Sequence, residues 1–379
     1  MAGRSKQKER RDLLPAIGVY PPELRAGLQT GQNNEWVTTD LIRHFADAIG
    51  DKNHLWRDGN YAIRTRWAGI IAPPTFLECI APTFTQDKRD LPPGARPLPA
   101  GAKRQWFQVM RPGDRIHVVE QFLGVEEKIK EDKPYCLFYD NNRRTYINQR
   151  EEIVAIVDCP LIMPVFHHFE DQKAALSQSD KKHGYTQEEL DEIHRSYEEE
   201  KPRGSDTLFW EDVTVVDELD RIMAGPLSGA DGAAFVLAIG YLGAFGINWE
   251  IIKEDFSWHH IDPETHEYIL ASEIHFNDIA GKIRGGSRSF GFGAQMEGVM
   301  SRLITNWMGD DGFMKRFDAM TRRPWYFGDT ITVKGNVTNK YVEKDEHMVE
   351  LEARCENQEG IINETGIFTV RLISRKGFK

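Results

Sequence analysis

The sequence predicts an α+β protein built from two copies of one module, each a short helix followed by antiparallel strands. Three observations carry this. TTDLIRHFADAIGD at Thr38–Asp51 is echoed 190 residues later by SGADGAAFVLAIGY at Ser228–Tyr241, which sets Phe45 over Phe235 and Ala48-Ile49-Gly50 over Ala238-Ile239-Gly240. A second echo follows in each half: Arg111-Pro112-Gly113-Asp114-Arg115-Ile116 and Tyr326-Phe327-Gly328-Asp329-Thr330-Ile331, each opening a strand-rich stretch. Two echoes in the same order mark a duplicated fold. No stretch alternates strand, helix and strand in the βαβ manner, which excludes a parallel α/β sheet.

Taken in order, residues 1–20 contain the charged run GRSKQKERRD, which lacks the apolar core of a secretion signal and reads as a flexible basic tail. The first module spans 21–165. Within it Asp40 to Ile49 reads as an amphipathic helix with Leu41, Ile42, Phe45 and Ile49 on one side, closed by Gly50. Thr75 to Ile80 starts a more apolar helix, with Pro73 and Pro74 at its start, where missing N–H groups do no harm. Residues 87–104 read as a loop rich in Pro, Gly and charge. Strands are expected at Ile116–Leu123, Tyr135–Asp140 and Ile153–Val157.

Residues 166–206 are acidic and polar and read as the connection between copies, with Thr186 and Glu189 forming a capping box before a solvated helix. The second module spans 207–379. Its short helix lies near Asp231–Ile239, and a long one runs over Gln295–Trp307, where Met296, Val299, Met300, Leu303 and Ile304 form a core stripe. Strands at Thr330–Val337, Met348–Ala353 and Ile367–Leu372 close the chain.

A chain of 379 residues is comfortable for two cores, and 40% apolar with 28% charged residues is ordinary globular composition. The net charge of −11 speaks against a nucleic-acid partner, while leaving room for a local basic groove that holds a phosphorylated ligand. No stretch approaches the ~18 apolar residues of a membrane helix. Cys79, Cys136, Cys159 and Cys355 are scattered, so free thiols in a reducing cytoplasm are expected. The adjacent pairs His167-His168 and His259-His260 lack ligand spacing, and Gly291-Phe292-Gly293 lacks the third glycine of a dinucleotide site. No metal and no cofactor are expected.

The first copy continues from its glycine as Gly50-Asp51-Lys52-Asn53-His54-Leu55-Trp56, then Asp58, Ala62 and Gly69-Ile70-Ile71-Ala72-Pro73-Pro74-Thr75. The second adds Trp210-Glu211-Asp212-Val213, Gly225-Pro226-Leu227, Ile274-His275-Phe276-Asn277-Asp278 and Asn306-Trp307-Met308-Gly309-Asp310-Asp311-Gly312. From about Val37 to Leu372 the chain resembles the MaoC-like hot-dog dehydratases and hydratases, in particular the fused acyl dehydratases whose first half is of the MaoC dehydratase N-terminal type. The resemblance implies two tandem hot-dog domains, each an antiparallel sheet wrapped around a central helix, paired as a pseudo-dimer. It implies reversible interconversion of a 2-enoyl and a 3-hydroxyacyl thioester, coenzyme A-bound, without a redox cofactor. A homodimer or a heteromer with another hot-dog subunit is compatible with it.

The family dyad is an Asp and, five residues on, a His. Here Asp51 and Asn53 are kept, but His54 stands for the usual proline and Trp56 for the usual histidine. In the second copy Tyr241 replaces the Asp, an insertion covers roughly 242–272, and His275 falls at the motif histidine. Each copy thus keeps half a dyad. Adding water to an enoyl thioester needs a base, an acid for the α-carbon and donors for the enolate oxygen. His275 and Asp51 are the catalytic candidates. Asn53, His54, Tyr241, Gly291 and Gly293 are candidate substrate contacts, the glycines because Ser289–Ala294 leads into the long helix and lets a carbonyl approach free N–H groups. His275 as a core histidine, Asp51 as a turn brace and Asn53 as a turn residue are the plain alternatives. At the level of the whole chain, the alternatives to a hydratase are a non-catalytic hot-dog subunit and a thioesterase using Asp278 or Asp51.

Overall fold

The computed structural model describes residues 32–83, 98–129, 135–166, 182–241, 260–262, 264–269, 271–283 and 287–376. The basic tail, His167, His168, His259 and most of the insertion after Tyr241 lie outside them.

In the first half, helix α1 (Thr39–Ala48) starts where the Thr38 hydroxyl accepts the Leu41 N–H, and it buries Ile42, Phe45 and Ala46. Asn53 caps a 3₁₀ turn at His54–Trp56, and Asp58 caps α2 (Gly59–Ala62). A second 3₁₀ turn at Pro74–Phe76 runs into α3 (Leu77–Ile80), all four residues of which are buried. Six strands follow: β1 (Leu98–Pro99), β2 (Lys103–Trp106), β3 (His117–Ile129), β4 (Tyr135–Ile147), β5 (Ile153–Asp158) and β6 (Leu161–Phe166).

Helix α4 (Gln187–Glu199) carries the expected Thr186/Glu189 capping box. It does not stand in solvent: Ile193 is buried, the Tyr197 hydroxyl accepts the Gly225 N–H, and the Arg203 N–H reaches the Asn306 carbonyl. The second half then runs through β7 (Ile222–Ala224), α5 (Gly229–Ile239), the two-stranded ribbon β8 (His260–Ile261) and β9 (Tyr268–Ile269), a 3₁₀ turn at Ala271–His275, α6 (Asp278–Ile283) and α7 (Gly293–Met308). Strands β10 (Phe313–Thr321), β11 (Ile331–Glu343), β12 (Glu346–Asn357) and β13 (Ile362–Leu372) complete it.

The duplication repeats two turns in backbone detail. Gly50 and Gly240 end α1 and α5 at φ +69° and +70°, the left-handed region where a side chain is strained. The next N–H, of Asp51 or Tyr241, turns back to the carbonyl of Ala46 or Val236, residues 190 apart. The second echo is one turn used twice: Gly113 and Gly328 both have φ +92°. The Asp114 and Asp329 N–H groups bond to Arg111 and Tyr326 at 3.0 Å, while their carbonyls accept Val37 and Leu227 at 2.9 Å. Across the axis of this repeat α1 packs on α5, with Phe45 6.3 Å from Phe235.

The strands of both halves join into one antiparallel sheet in the order β1-β6-β4-β5-β2-β10-β13-β12-β11-β7, with β3 paired to β4. The halves meet edge to edge where Arg104 of β2 lies opposite Phe317 of β10. α7 lies against β10, β11, β12 and β13 and is buried along almost its whole length. This is a double hot-dog: a long sheet wrapped around central helices, of which α7 is the full-length one and α3 a single turn. Of the loop expected over 87–104, residues 87–97 lie outside the described residues, and the rest includes β1 and the start of β2. β6 and β10 carry no expected strand, and β3, β4 and β11 are longer than their patterns suggest. β2 reads as loop because its KRQW sequence places buried Arg104 in a strand position.

Candidate functional site

His275 closes its 3₁₀ turn as Trp56 closes the equivalent turn of the first half, and α6 follows it as α2 follows Trp56. The imidazole stacks on Phe292 with 3.7 Å between ring centres and 25° between planes. Its Nδ1 lies 2.8 Å from the Phe290 carbonyl oxygen. A carbonyl only accepts, so Nδ1 carries the hydrogen and Nε2 keeps its lone pair. Burial pushes the imidazole down to about 4, which keeps the ring neutral at neutral pH.

Phe292 is also the N-cap of α7, and no side chain caps this helix end. The first helical N–H groups, those of Gly293 and Ala294, have no intrahelical acceptor, and the helix dipole makes that end attractive to negative charge. A Cβ at Gly293 would meet only the Thr321 hydroxyl, at 3.9 Å, so the approach is open. Gly291 differs from the expectation. Its N–H already bonds to the Trp325 carbonyl at 2.8 Å, and a Cβ there would strike Leu227 at 2.7 Å. Gly291 therefore shapes the loop, and the free donors begin at Gly293. The Asp278 carboxylate accepts both the N–H and the hydroxyl of Ser289, tying the start of α6 to the strand-like segment before α7.

Asp51 is 1% exposed. Its carboxylate accepts the Asn53 N–H at 2.9 Å and its carbonyl accepts Arg57. Burial raises its pKa, offset by the Asn53 hydrogen bond and by nearby Arg302. The Trp56 indole N–H faces this carboxyl without reaching hydrogen-bond geometry. Asp51 sits beside Arg302, since a Cβ on neighbouring Gly50 would lie 2.4 Å from the Arg302 guanidinium. His275 sits beside Phe292. These contacts are ten residues apart along α7, about 15 Å at 1.5 Å per residue. No hydrogen bond or ring contact links Asp51 to His275 among the described residues: the one is held beside Arg302 and the other against Phe292. Tyr241 is half-buried against the core just past α5, and His54 is exposed, its ring 5.5 Å from that of Tyr61.

Asn53 belongs to another feature. A narrow cleft, partly open to solvent, is built on the first half. Trp56, Ile71 and Pro74 form one wall, Trp106 and Met110 a second, and Met308, Phe313 and Met314 of the second half a third. Asp310 supplies its polar edge: the Tyr61 hydroxyl donates to it at 2.5 Å, the Asn53 amide lies 3.4 Å away, and the Asp310 carbonyl accepts the Trp67 indole N–H at 2.6 Å. Burial raises the Asp310 pKa. The sequence sets Asp310 within the Asn306–Gly312 motif but gives it no role of its own. Among the described residues no group of three or more His, Cys, Asp and Glu is placed to hold a metal, and no helix is long and apolar enough to cross a membrane.

Comparison with known proteins bears on the fold. Residues 25–157 match the family model of the FAS1-like dehydratase domain region. A UPF0336 protein of Streptomyces avermitilis is 31% identical over 94 residues, 24% of this chain and 63% of that protein, so the match spans less than two thirds of the relative. A UPF0336 protein of Thermobifida fusca is 52% identical over 40 residues, 11% of this chain and 26% of that one. A solved MaoC-like dehydratase superposes with a TM-score of 0.62 at 16% identity, over 91% of this chain and 97% of that one. A MaoC domain protein from Chloroflexus aurantiacus gives 0.57 at 12% identity, over 92% and 95%. A Mycobacterium tuberculosis protein described as a double hotdog gives 0.54 at 11% identity, over 94% and 98%. The chain has the double hot-dog fold of these solved proteins, and residues 25–157 are similar to the FAS1-like dehydratase region.

Proposed function

We propose that the chain is a hydro-lyase that interconverts a 2-enoyl and a 3-hydroxyacyl thioester, coenzyme A-bound, in the cytoplasm, with His275 as acid and base. One observation carries the reading: a neutral imidazole with Nδ1 fixed by the Phe290 carbonyl is stacked on the N-cap of an uncapped, buried helix. In the hydration direction the water oxygen bonds to C3 while its proton passes to Nε2. The enolate oxygen that develops on the thioester is held by the Gly293 and Ala294 N–H groups. The imidazolium then returns the proton to C2, so one water is added and the enzyme is unchanged. Phe290 and Phe292 beside the imidazole, with Phe235 against Phe292, favour a bulky or aromatic acyl group. Nothing in the scheme calls for a metal or redox cofactor.

The test is loss of enoyl absorbance with crotonyl-CoA and a panel of branched and aromatic enoyl-CoA thioesters, for wild type and His275→Ala. A fall of at least ~100-fold in the variant supports the assignment. A wild-type chain inert on every substrate overturns it, and favours the reading of a non-catalytic subunit in a heteromeric hydratase.

A further inference from the structure

The cleft of the first half stands where the His275 site stands in the second. Its Trp56 and Pro74 occupy the places of His275 and Gly293: Trp56 and His275 each close a 3₁₀ turn, Pro74 opens the 3₁₀ turn that runs into α3, and Gly293 opens α7. An indole N–H cannot accept a proton and a proline has no N–H, so this copy has lost both the base and the oxyanion donor. It keeps a narrow cleft, partly open to solvent. Its walls are apolar, with a short polar edge at Asp310 and Asn53.

The mouth is cationic, in a chain whose net charge is −11. Two shallower depressions share walls with the cleft, one through Trp67 and Phe313, the other through Asp310. Arg111 and Arg150 line the first, Arg64 and Arg66 the second, and Arg371 both. Arg150 and Arg371 are paired with Glu152 and Glu346. Arg66 and Arg111 instead flank Trp67: the guanidinium of Arg66 lies 5.0 Å from the indole centre and donates to the Asp311 carbonyl, and Arg111 donates to the Trp67 carbonyl. Neither guanidinium, nor that of exposed Arg64, forms an ion pair with a carboxylate among the described residues. The Asp311 carboxylate is bonded to Thr207.

An apolar slot behind unpaired guanidiniums fits an acyl chain joined to phosphates by a flexible arm. We infer that this cleft is a second thioester site, which holds a phosphopantetheine thioester by its acyl chain, with its phosphates at Arg64, Arg66 and Arg111, and does not hydrate it. The inference takes its ligand class from the proposed function but needs no turnover.

Hexanoyl-CoA, which has no double bond to hydrate, serves as the probe in equilibrium binding to wild type, His275→Ala and the Arg64→Glu/Arg66→Glu double variant. Both altered arginines are on the surface, so folding is not at stake. Two sites per wild-type chain are expected, one of them weakened at least about tenfold by the arginine reversals and by added salt. A diazirine-bearing acyl-CoA should label the peptide containing Phe313 and Met314, and hexanoyl-pantetheine, without the 3′-phosphate and diphosphate, should be insensitive to the double variant. Labelling only when the acyl group arrives on an acyl carrier protein would assign the same site to that source. One site per chain, unchanged by the reversals and unlabelled at Phe313–Met314, overturns the inference. Hydration measured in parallel separates the two readings, because a chain that hydrates nothing can still show the labelled cleft.

Discussion

Glu78 and Glu297 each stand five residues beyond an N-cap, Pro73 of the 3₁₀ turn that runs into α3 and Phe292 of α7, and both bind the one guanidinium of Arg104. The two copies thus share a single cation at the seam where β2 meets β10. All three groups are buried, and Arg104 also lies over the Phe317 ring at 5.5 Å. Removing the cation leaves two carboxylates facing each other in low dielectric. Arg104→Met should therefore cost on the order of 3–5 kcal/mol of stability by urea unfolding. Glu78→Gln, which keeps the shape and removes one charge, should cost clearly less.

A third carboxyl, Glu364 of β13, is buried nearby, with neither oxygen hydrogen-bonded among the described residues. Burial, reinforced by the neighbouring Glu297 charge, raises its pKa well above 4.5. The folded chain then keeps a proton that the unfolded chain releases. This contribution to stability is fully present below about pH 4.5 and is lost as pH rises toward the folded value. Thermal unfolding followed from pH 5 to 8 should show the decline, and Glu364→Gln should flatten it and raise the melting temperature at pH 8. An equal slope in the variant would mean that another group sets the dependence.

The pH dependence of turnover has the opposite sign. His275 must be neutral to accept a proton, and burial holds it at about 4. Activity in kcat/KM should stay level from neutral pH down to about 5 and fall as pH drops through about 4, well below the limb of an ordinary histidine near 6.5. A limb at 6 to 7 would place the essential base elsewhere.

Asp51 gives a contrasting expectation. Its neighbour on α7 is Arg302, ten residues from the Phe292 that supports His275, and its carboxylate braces the loop at Asn53. Asp51→Asn should lower the unfolding temperature while leaving kcat intact. A loss of kcat matching that of His275→Ala would show that the half-dyads cooperate after all.

Much of this is legible in the sequence because the repeated features are local. Gly50 and Gly240, or Gly113 and Gly328, are read from a few neighbouring residues, since a left-handed φ asks for glycine wherever it occurs. The helix caps at Thr38, Thr186 and Ser228 are equally local. What joins the halves is not. β2 and β10 pair over 200 residues of separation, and their charged residues Arg104 and Asp318 make each read as surface or loop until the Glu78–Arg104–Glu297 contact is seen. The cleft escapes for the same reason. Asp310 gains its role only from Tyr61 and Asn53, which the fold brings to it from the other copy.

The first copy supplies the design of the sharpest test of the second. Pro74 shows that this helix start accepts proline, whose fixed φ suits the first helical position. Gly293 occupies that position in α7, and Phe292 before it is extended at φ −78° and ψ 138°, as a residue preceding proline must be. Gly293→Pro should therefore fold with an unchanged melting temperature while deleting one N–H from the proposed oxyanion site. Turnover should fall about 100-fold or more, with little change in the binding of a saturated acyl-CoA. Gly293→Ala is the control: it restores the N–H and adds a Cβ that meets only Thr321 at 3.9 Å, so it should keep near-wild-type activity. Equal losses in both variants would point to crowding at the helix start. Full activity in Gly293→Pro would move the enolate donors to another part of the site.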